Sequence, residues 1–259
     1  MQRGCVYLTD EDSMISGLYS AATAMDVTNR RHEMVSENLA NLQTPGYRRR
    51  VLSQSSFDTM MQPLQVATDG VDSSKLLGAT TGDTQYDFSQ GHIQETKLKL
   101  DVALNGEGFF TVQSPDGPLY TRSGAFHLDP AGTLVNVDGQ PILGIGGPIQ
   151  VPAGVTTEQI EITNDGSVYA NDQQIGQLAL VQFADNNTLT AVGASLFTAP
   201  PGAVTTGSSA EVLQGRLEMS NTSSVHELIN MISLSRHRDA AQKALNTIAE
   251  SIQKRIAMR

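Results

Sequence analysis

Between Met14 and Leu42 the apolar and small residues fall at Leu18, Ala21, Met25, Thr28, His32, Val35, Leu39 and Leu42, an unbroken alternation of threes and fours. That spacing is an a/d seam, and it predicts one amphipathic helix whose other faces carry Asp26, Asn29, Arg30, Arg31, Glu33 and Glu37. His32 on the seam is either a polar register device or a tolerated boundary residue. Thr44-Pro45-Gly46 stops the helix near Leu42, because Pro disfavours a helical residue before it and Gly supplies turn conformations. A second long helix is predicted after a cap at Ser223 or Ser224. Its apolar positions are Val225, Leu228, Ile229, Ile232, Leu234, Ala240, Ala241, Ala244, Leu245, Ile248, Ile252 and Ile256, with a polar interruption from Arg236 to Asp239. Lys254, Arg255 and Arg259 near its end suit the helix dipole.

Between the helices the period is lost. Residues 53–90 are rich in Ser, Thr, Gln, Asp and Gly and read as extended or weakly ordered. From Asp101 short β-rich runs alternate with turn chemistry at Asp116-Gly117, Asp129-Pro130-Ala131-Gly132, Asp138-Gly139, Asn164-Asp165-Gly166 and Asn171-Asp172, which favours antiparallel hairpins over βαβ units. Phe126–Val135 is echoed by Ile160–Tyr169, predicting two similar hairpins. The expected fold is α+β: terminal helices pairing as a coiled-coil-like core, with a central, mainly antiparallel β domain. The expected segments are an extension over 1–13, an N-terminal assembly helix over 14–44, an extended linker over 45–100, an acidic β domain over 101–208, a return segment over 209–224 and a C-terminal assembly helix over 225–258.

Charge sharpens this division. Of the net −10, residues 101–215 account for all, since they hold eleven Asp/Glu and one base, Arg122 (1 − 11 = −10). Residues 1–100 sum to −3 and residues 216–259 to +3. An acidic middle repels phosphate backbones, so nucleic acid is excluded as its partner. No run approaches the ~18 consecutive apolar residues of a membrane span, so no membrane insertion is expected. The start, with Asp10, Glu11 and Asp12, does not read as a cleavable signal, and a single Cys, Cys5, offers no disulfide framework.

Candidate chemistry is thin. His226-Glu227 opens like a zinc-protease helix, but the second ligand position is Asn230, so the motif fails and a surface His-Glu pair is expected. His32, His92, His127 and His237 show no ligand spacing, so no metal is expected. Gly144-Ile145-Gly146-Gly147-Pro148 reads as a β-turn instead of a phosphate cradle, since Pro148 removes a donor. Asp129, Asp138, Asp165 and Asp172 sit at turn signals, where Asp bonds its own backbone. No catalytic, cofactor-binding or metal residue is assigned, and no enzyme is expected. The run Arg48-Arg49-Arg50 reads as a solvated cluster complementing a helix C-terminus, with an acidic docking surface as the alternative.

Asn38-Leu39-Ala40-Asn41-Leu42-Gln43-Thr44-Pro45-Gly46-Tyr47 resembles the N-terminal signature of flagellar basal-body rod and hook proteins, and Gly17–Met25 is similar to the segment that opens the family. Asp101–Phe110 and Tyr120–Phe126 resemble the entry to its β domain, and Ser220–Ile232 its C-terminal motif, although the family commonly has Asn-Val where this chain has Asn221-Thr222. The resemblance covers residues 14–258. The length points to the rod over the longer hook proteins, and Gly146–Pro152 is most like the proximal-rod (F) type, with the distal (G) type equally compatible in the opening segment. It implies a structural subunit in the periplasm-crossing basal body, exported without a cleaved signal through the flagellar type III apparatus, with copies of itself and other rod and hook subunits as partners and no cofactor. The implied assembly interface comprises Leu18, Met25, Val35, Asn38, Leu39, Asn41 and Leu42 on the first helix segment and Leu228, Ile232, Leu245, Ile248 and Ile252 on the second. Alternatives are a hook-type or export-related paralogue, or a secreted carbohydrate-binding or hydrolytic β domain with oligomerisation helices.

Overall fold

The computed structural model describes residues 10–52 and 84–257, so Met1 to Thr9 and most of the polar stretch 53–90 lie outside the described residues. The chain divides into two units. One takes Met1–Leu39, Arg50–Gln85 and Ser224–Arg259; the other takes Ala40–Arg49 and Tyr86–Ser223.

The first unit is built on two helices, α1 over Asp10–Ala40 and α2 over Ser224–Ala257. α1 begins before Met14, at Asp10. Its exposed positions, Ala22, Asp26, Asn29, Arg30, Glu33 and Glu37, repeat with the helical period, and an exposed i,i+4 pair joins Arg30 Nε to Asp26 Oδ2 at 3.1 Å. Val35 and Asn38 are buried on the other side, with Met25, Thr28, His32 and Leu39 half-buried. From Met25 to Leu39 the seam read from the sequence therefore lies on the covered side of α1, while the side chains of Leu18 and Ala21 lie outside the described residues. On α2 the covered side differs from the apolar stripe. Glu227 and Leu234 are buried and Met231, Arg238, Ala241 and Leu245 half-buried, again in fours and threes, whereas Val225, Leu228, Ile229 and Ile232 are 48–62% exposed. Glu227 is fully buried, so the expected surface His-Glu pair is half wrong: His226 is exposed and its neighbour is not.

The second unit is antiparallel throughout its strand ladders, as the turn spacing predicts. Its centre is a six-stranded sheet in the order Thr190–Ala191, Leu196–Thr198, Gly117–Thr121, Phe109–Ser114, Leu180–Phe183, Thr205–Gly207. Successive residues of a strand point to opposite faces, so the pairs Phe109/Phe110, Leu119/Tyr120 and Leu196/Phe197 feed two separate cores. On one face Phe110, Leu119 and Leu196 join an aliphatic cluster with Val102, Leu104, Val112, Ile142, Ile160, Val168 and Val212. On the other, Phe109, Phe183 and Phe197 form an aromatic cluster covered by Tyr86 and Phe88, with Tyr86 and Phe197 edge to face at 5.4 Å and Tyr120 and Phe183 at 4.8 Å.

The sequence echo is real structure. In the hairpin of His127–Leu128 with Leu134–Val135, Gly132 N donates to Asp129 O and Asp129 N to Thr133 O. In that of Ile160–Ile162 with Ser167–Ala170, Gly166 and Thr163 do the same with Thr163 and Ser167. A third copy of the turn sits at Asn136, Gly139 and Gln140. Asp129 Oδ1 and Asn136 Oδ1 each accept from two backbone amides of their own turn, which is the bonding that draws Asp and Asn to such sites. Asn171 and Asp172 both have positive φ, 51° and 64°, the conformation a two-residue type I′ hairpin loop requires. Gly144 pairs with Gly147 across Ile145-Gly146, so that segment is a β-turn as read.

Candidate functional site: a buried charged junction

The Thr-Pro-Gly-Tyr signature folds into the second unit. Thr44 donates from its backbone N and its Oγ1 to Asn41, 3.2 Å in each case, closing the turn that ends α1. Gly46 follows at φ +70°, with its N donating to Glu218 O at 2.8 Å; a Cβ there would meet Ser123 N at 2.2 Å and Arg122 C at 2.6 Å. Only glycine lets this backbone lie against residues 122–123. Tyr47 and Arg48 are then buried.

Arg48 corrects the expectation of a solvated basic run. Its guanidinium is fully buried, with NH2 donating to Glu218 Oε1 at 2.7 Å and NH1 to Ser89 O at 2.7 Å. Glu218 Oε1 also accepts from Gly91 N at 2.9 Å, and Oε2 accepts from Arg122 NH1 at 3.1 Å. Arg122 donates its NH2 to Gly106 O at 2.7 Å and stands 5.5 Å from the centre of the Phe109 ring. Burial pushes the Arg122 guanidinium down to about 10; Glu218 opposes that shift and Arg48 adds to it. One carboxylate is thus held between two guanidiniums, with all three side chains at most 5% exposed. Beside it Asn221 Oδ1 accepts from Arg49 N at 2.8 Å, and Asn221 Nδ2 donates to Asp87 O and to Ser89. In the first unit, Asn38 binds the backbone of Arg50 in both directions, Nδ2 to Arg50 O at 3.0 Å and Arg50 N to Oδ1 at 2.9 Å, and the Arg50 guanidinium pairs with Glu37. Asn38 and Asn41 thus bond their own chain.

Of the residues assigned to assembly, Val35 and Asn38 are buried, Met25, Leu39, Asn41, Leu42 and Leu245 half-buried, and Leu228 and Ile232 exposed. Leu18, Ile248 and Ile252 lie within the two helices, their side chains outside the described residues. Leu228 and Ile232 are therefore left uncovered among the described residues. The junction itself, Arg48, Arg122, Glu218 and Asn221, was missed; its one sequence signal was the lone base among eleven acids.

No cluster of three or more His, Cys, Asp or Glu suited to a metal occurs among the described residues, and no described helix is long and apolar enough to cross a membrane. Asp165, which could have served as an acid or base, is spent on its own turn: Thr163 and Ser167 hydroxyls donate to it and hold its carboxyl below the usual range.

Thr222 adds a testable detail. Its Oγ1 is buried with no hydrogen-bond partner, at the position where the resembling family commonly has Val. A buried hydroxyl left unbonded costs about 1–3 kcal/mol. Thr222→Val should therefore raise stability by about 1 kcal/mol in denaturant unfolding.

Three family models match successive parts of the chain: the flagella basal body rod protein model over residues 18–48, the flagellar hook protein FlgE/F/G D1 domain over 103–170, and the flagellar basal body rod FlgEFG protein C-terminal model over 213–258. Arg48, Arg122 and Glu218 fall one in each, so the junction is where the three matched segments meet. The chain is 34% identical to the flagellar basal-body rod protein FlgG of Buchnera aphidicola subsp. Schizaphis graminum, over 93% of this chain and 98% of that one. It is 30% identical to FlgG of Bacillus subtilis, over 95% and 100%, and 30% identical to FlgF of Salmonella typhimurium, over 92% and 96%. With near-complete coverage of rod proteins of both types and all three signature segments converging on one buried cluster, the chain belongs to the flagellar basal-body rod protein family.

Proposed function

We propose that the chain is a structural, non-enzymatic subunit of the flagellar rod that polymerises through its terminal helices into the shaft between motor and hook. The observation that carries this is the stripe Val225, Leu228, Ile229 and Ile232, four apolar side chains at i, i+3, i+4 and i+7 left 48–62% exposed on α2. Such a stripe stabilises nothing in one chain and gains its burial from a neighbour. In this reading α1 and α2 pair along their covered seams, Met25, His32, Val35 and Leu39 opposite Met231, Leu234, Leu245, Ile248 and Ile252, while Leu18, Leu228 and Ile232 reach neighbouring subunits. The β domain over 101–208 forms the outer wall. A patch on one side of a subunit that fits a different patch on the next generates an open helical filament, the form a shaft needs. Partners are further copies and other rod and hook subunits. Export through the flagellar type III apparatus belongs to the same reading, and a chain with a single Cys has no disulfide to form before passage.

The buried junction gives torque a path. Charged and hydrogen-bonded contacts tie Arg48 and Arg49, at the exit of α1, to Glu218 and Asn221, at the entry to α2, through the β body. Rod relatives of F and G type match at similar identity, 30% and 34%, so the proposal is made for the rod and not for one of its two ends. Purified basal bodies test it: the chain should be found in the rod, and deletion of its gene should leave the rod incomplete. Its presence in the hook, or an intact rod without it, would overturn the proposal.

A further inference from the structure

One long ribbon of the second unit carries opposite charges at two places. Strand Arg216–Glu218 pairs with Ile93–Glu95, and Glu211–Gln214 pairs with Val102–Asn105, with Gly215 at φ +74° between them. Opposite Gly215 the partner strand bulges out as a loop. Gly215 O accepts from both Thr96 N and Lys97 N, Gly215 N donates to Asp101 O at 2.8 Å, and Gln214 Nε2 ties Lys99 O, at 2.8 Å, to Ile160 O. Lys97 is held at φ 64°, a left-handed conformation that a residue with a β-carbon rarely adopts, and Leu98 at the apex is 63% exposed. Lys97, Lys99 and Arg216 are exposed and make no ion pair among the described residues. With Glu95 opposite Arg216 and Asp101 closing the loop, the region sums to 3 − 2 = +1. The other bases of this unit are Arg48 and Arg122, which are buried, and Arg49, which is half-buried. Its fully exposed bases are thus all gathered in this one place.

The far end of the same ribbon is acidic. Glu211 stands opposite Asn105 and accepts from Asn164 Nδ2 at 2.8 Å, Asp165 is the next residue in that turn, and Glu107 lies just past the strand end with its Oε2 accepting from Gln182. Arg216 and Glu211 lie on consecutive strands of the ribbon, five residues and at most about 17 Å apart at 3.3 Å per residue, against a screening length of about 8 Å in physiological salt. Within one copy the two ends do not neutralise each other.

We propose that the Thr96–Lys99 loop with Arg216 docks on the Glu107, Asp165 and Glu211 end of a second copy of the chain, Leu98 acting as the apolar knob between two cations. The partner is a second copy because the chain itself carries the complementary charge, and because two different, complementary patches on one body make a head-to-tail contact that extends without closing. The inference rests on the rod reading and adds an outer contact to the helical one.

Full-length chain is expressed in cells whose rods depend on it, and its amount in isolated rods is measured. Lys97→Glu/Lys99→Glu/Arg216→Glu, and separately Glu107→Lys/Glu211→Lys, should each lower incorporation roughly tenfold, and the variant carrying all five changes should recover most of it. In a Cys5→Ser background, Leu98→Cys with Asn164→Cys should yield a ladder of disulfide-linked multimers in assembled rods. Unchanged incorporation of the charge-reversed sets, or absence of the ladder in incorporated protein, overturns the docking proposal while leaving the rod reading in place. Absence of the wild-type chain from rods would bring down both.

Discussion

Glu218→Ala should unfold the β body at moderate denaturant and lower its stability by about 5 kcal/mol. The carboxylate receives Arg48, Arg122 and the Gly91 amide, and it is fully buried. Removing it leaves two guanidiniums facing each other in a site shielded from solvent. Breaking a buried pair by deleting one partner costs about 3–5 kcal/mol, and here two cations lose their anion at once. Against a typical domain stability of 5–15 kcal/mol that loss removes from about a third to all of it. The effect should be strongly non-additive: Arg122→Met added to Glu218→Ala should cost less than the sum of the two, because it removes one of the cations the first change stranded. Equilibrium unfolding in urea checks both values. A loss for Glu218→Ala below about 1 kcal/mol, the range of exposed pairs, would mean the cluster is hydrated.

Gly46→Ala should be nearly as damaging, for a reason of shape. At φ +70° an alanine pays about 1–2 kcal/mol in backbone conformation alone. Its Cβ would also lie 2.2 Å from Ser123 N and 2.7 Å from Ser123 Cα, so the signature turn and residues 122–123 must separate. Separation stretches the bond from Gly46 N to Glu218 O and pulls Arg122 away from its carboxylate. A total loss of about 4 kcal/mol is expected. Gly139→Ala is the control: its φ is +78° and nothing lies within 4 Å of the added methyl, so only the conformational part remains, about 1–2 kcal/mol. Equal losses for the two substitutions, compared by thermal unfolding, would remove the close backbone approach as the reason for this glycine.

Local signals in the sequence were reliable wherever the structure is local. The threes and fours from Met25 to Leu39 mark the covered side of α1, and Asp129, Asn136, Asn171 and Asp172 form the turns their chemistry favours. The junction was illegible for the opposite reason. Arg48 meets Glu218 across 170 residues, and beside Arg49 and Arg50 it has the look of a solvated run. Nothing in its neighbourhood along the chain distinguishes a buried arginine from an exposed one. α2 shows the same limit differently: periodicity identified an amphipathic helix, but Glu227 and Leu234 take the covered side and Leu228 and Ile232 the exposed one. A pattern of apolar residues shows which surfaces need covering, and not whether the chain itself or another molecule covers them.

That distinction allows a direct test of assembly. Leu228→Glu with Ile232→Glu alters two side chains that are 48% and 57% exposed, so the purified monomer should keep its far-UV spectrum and melt within about 1 kcal/mol of wild type. In cells relying on this chain for the rod, the doubly substituted protein should be absent from purified basal bodies and motility should be lost. Incorporation of that protein into rods at the wild-type level would contradict assembly through the exposed stripe of α2.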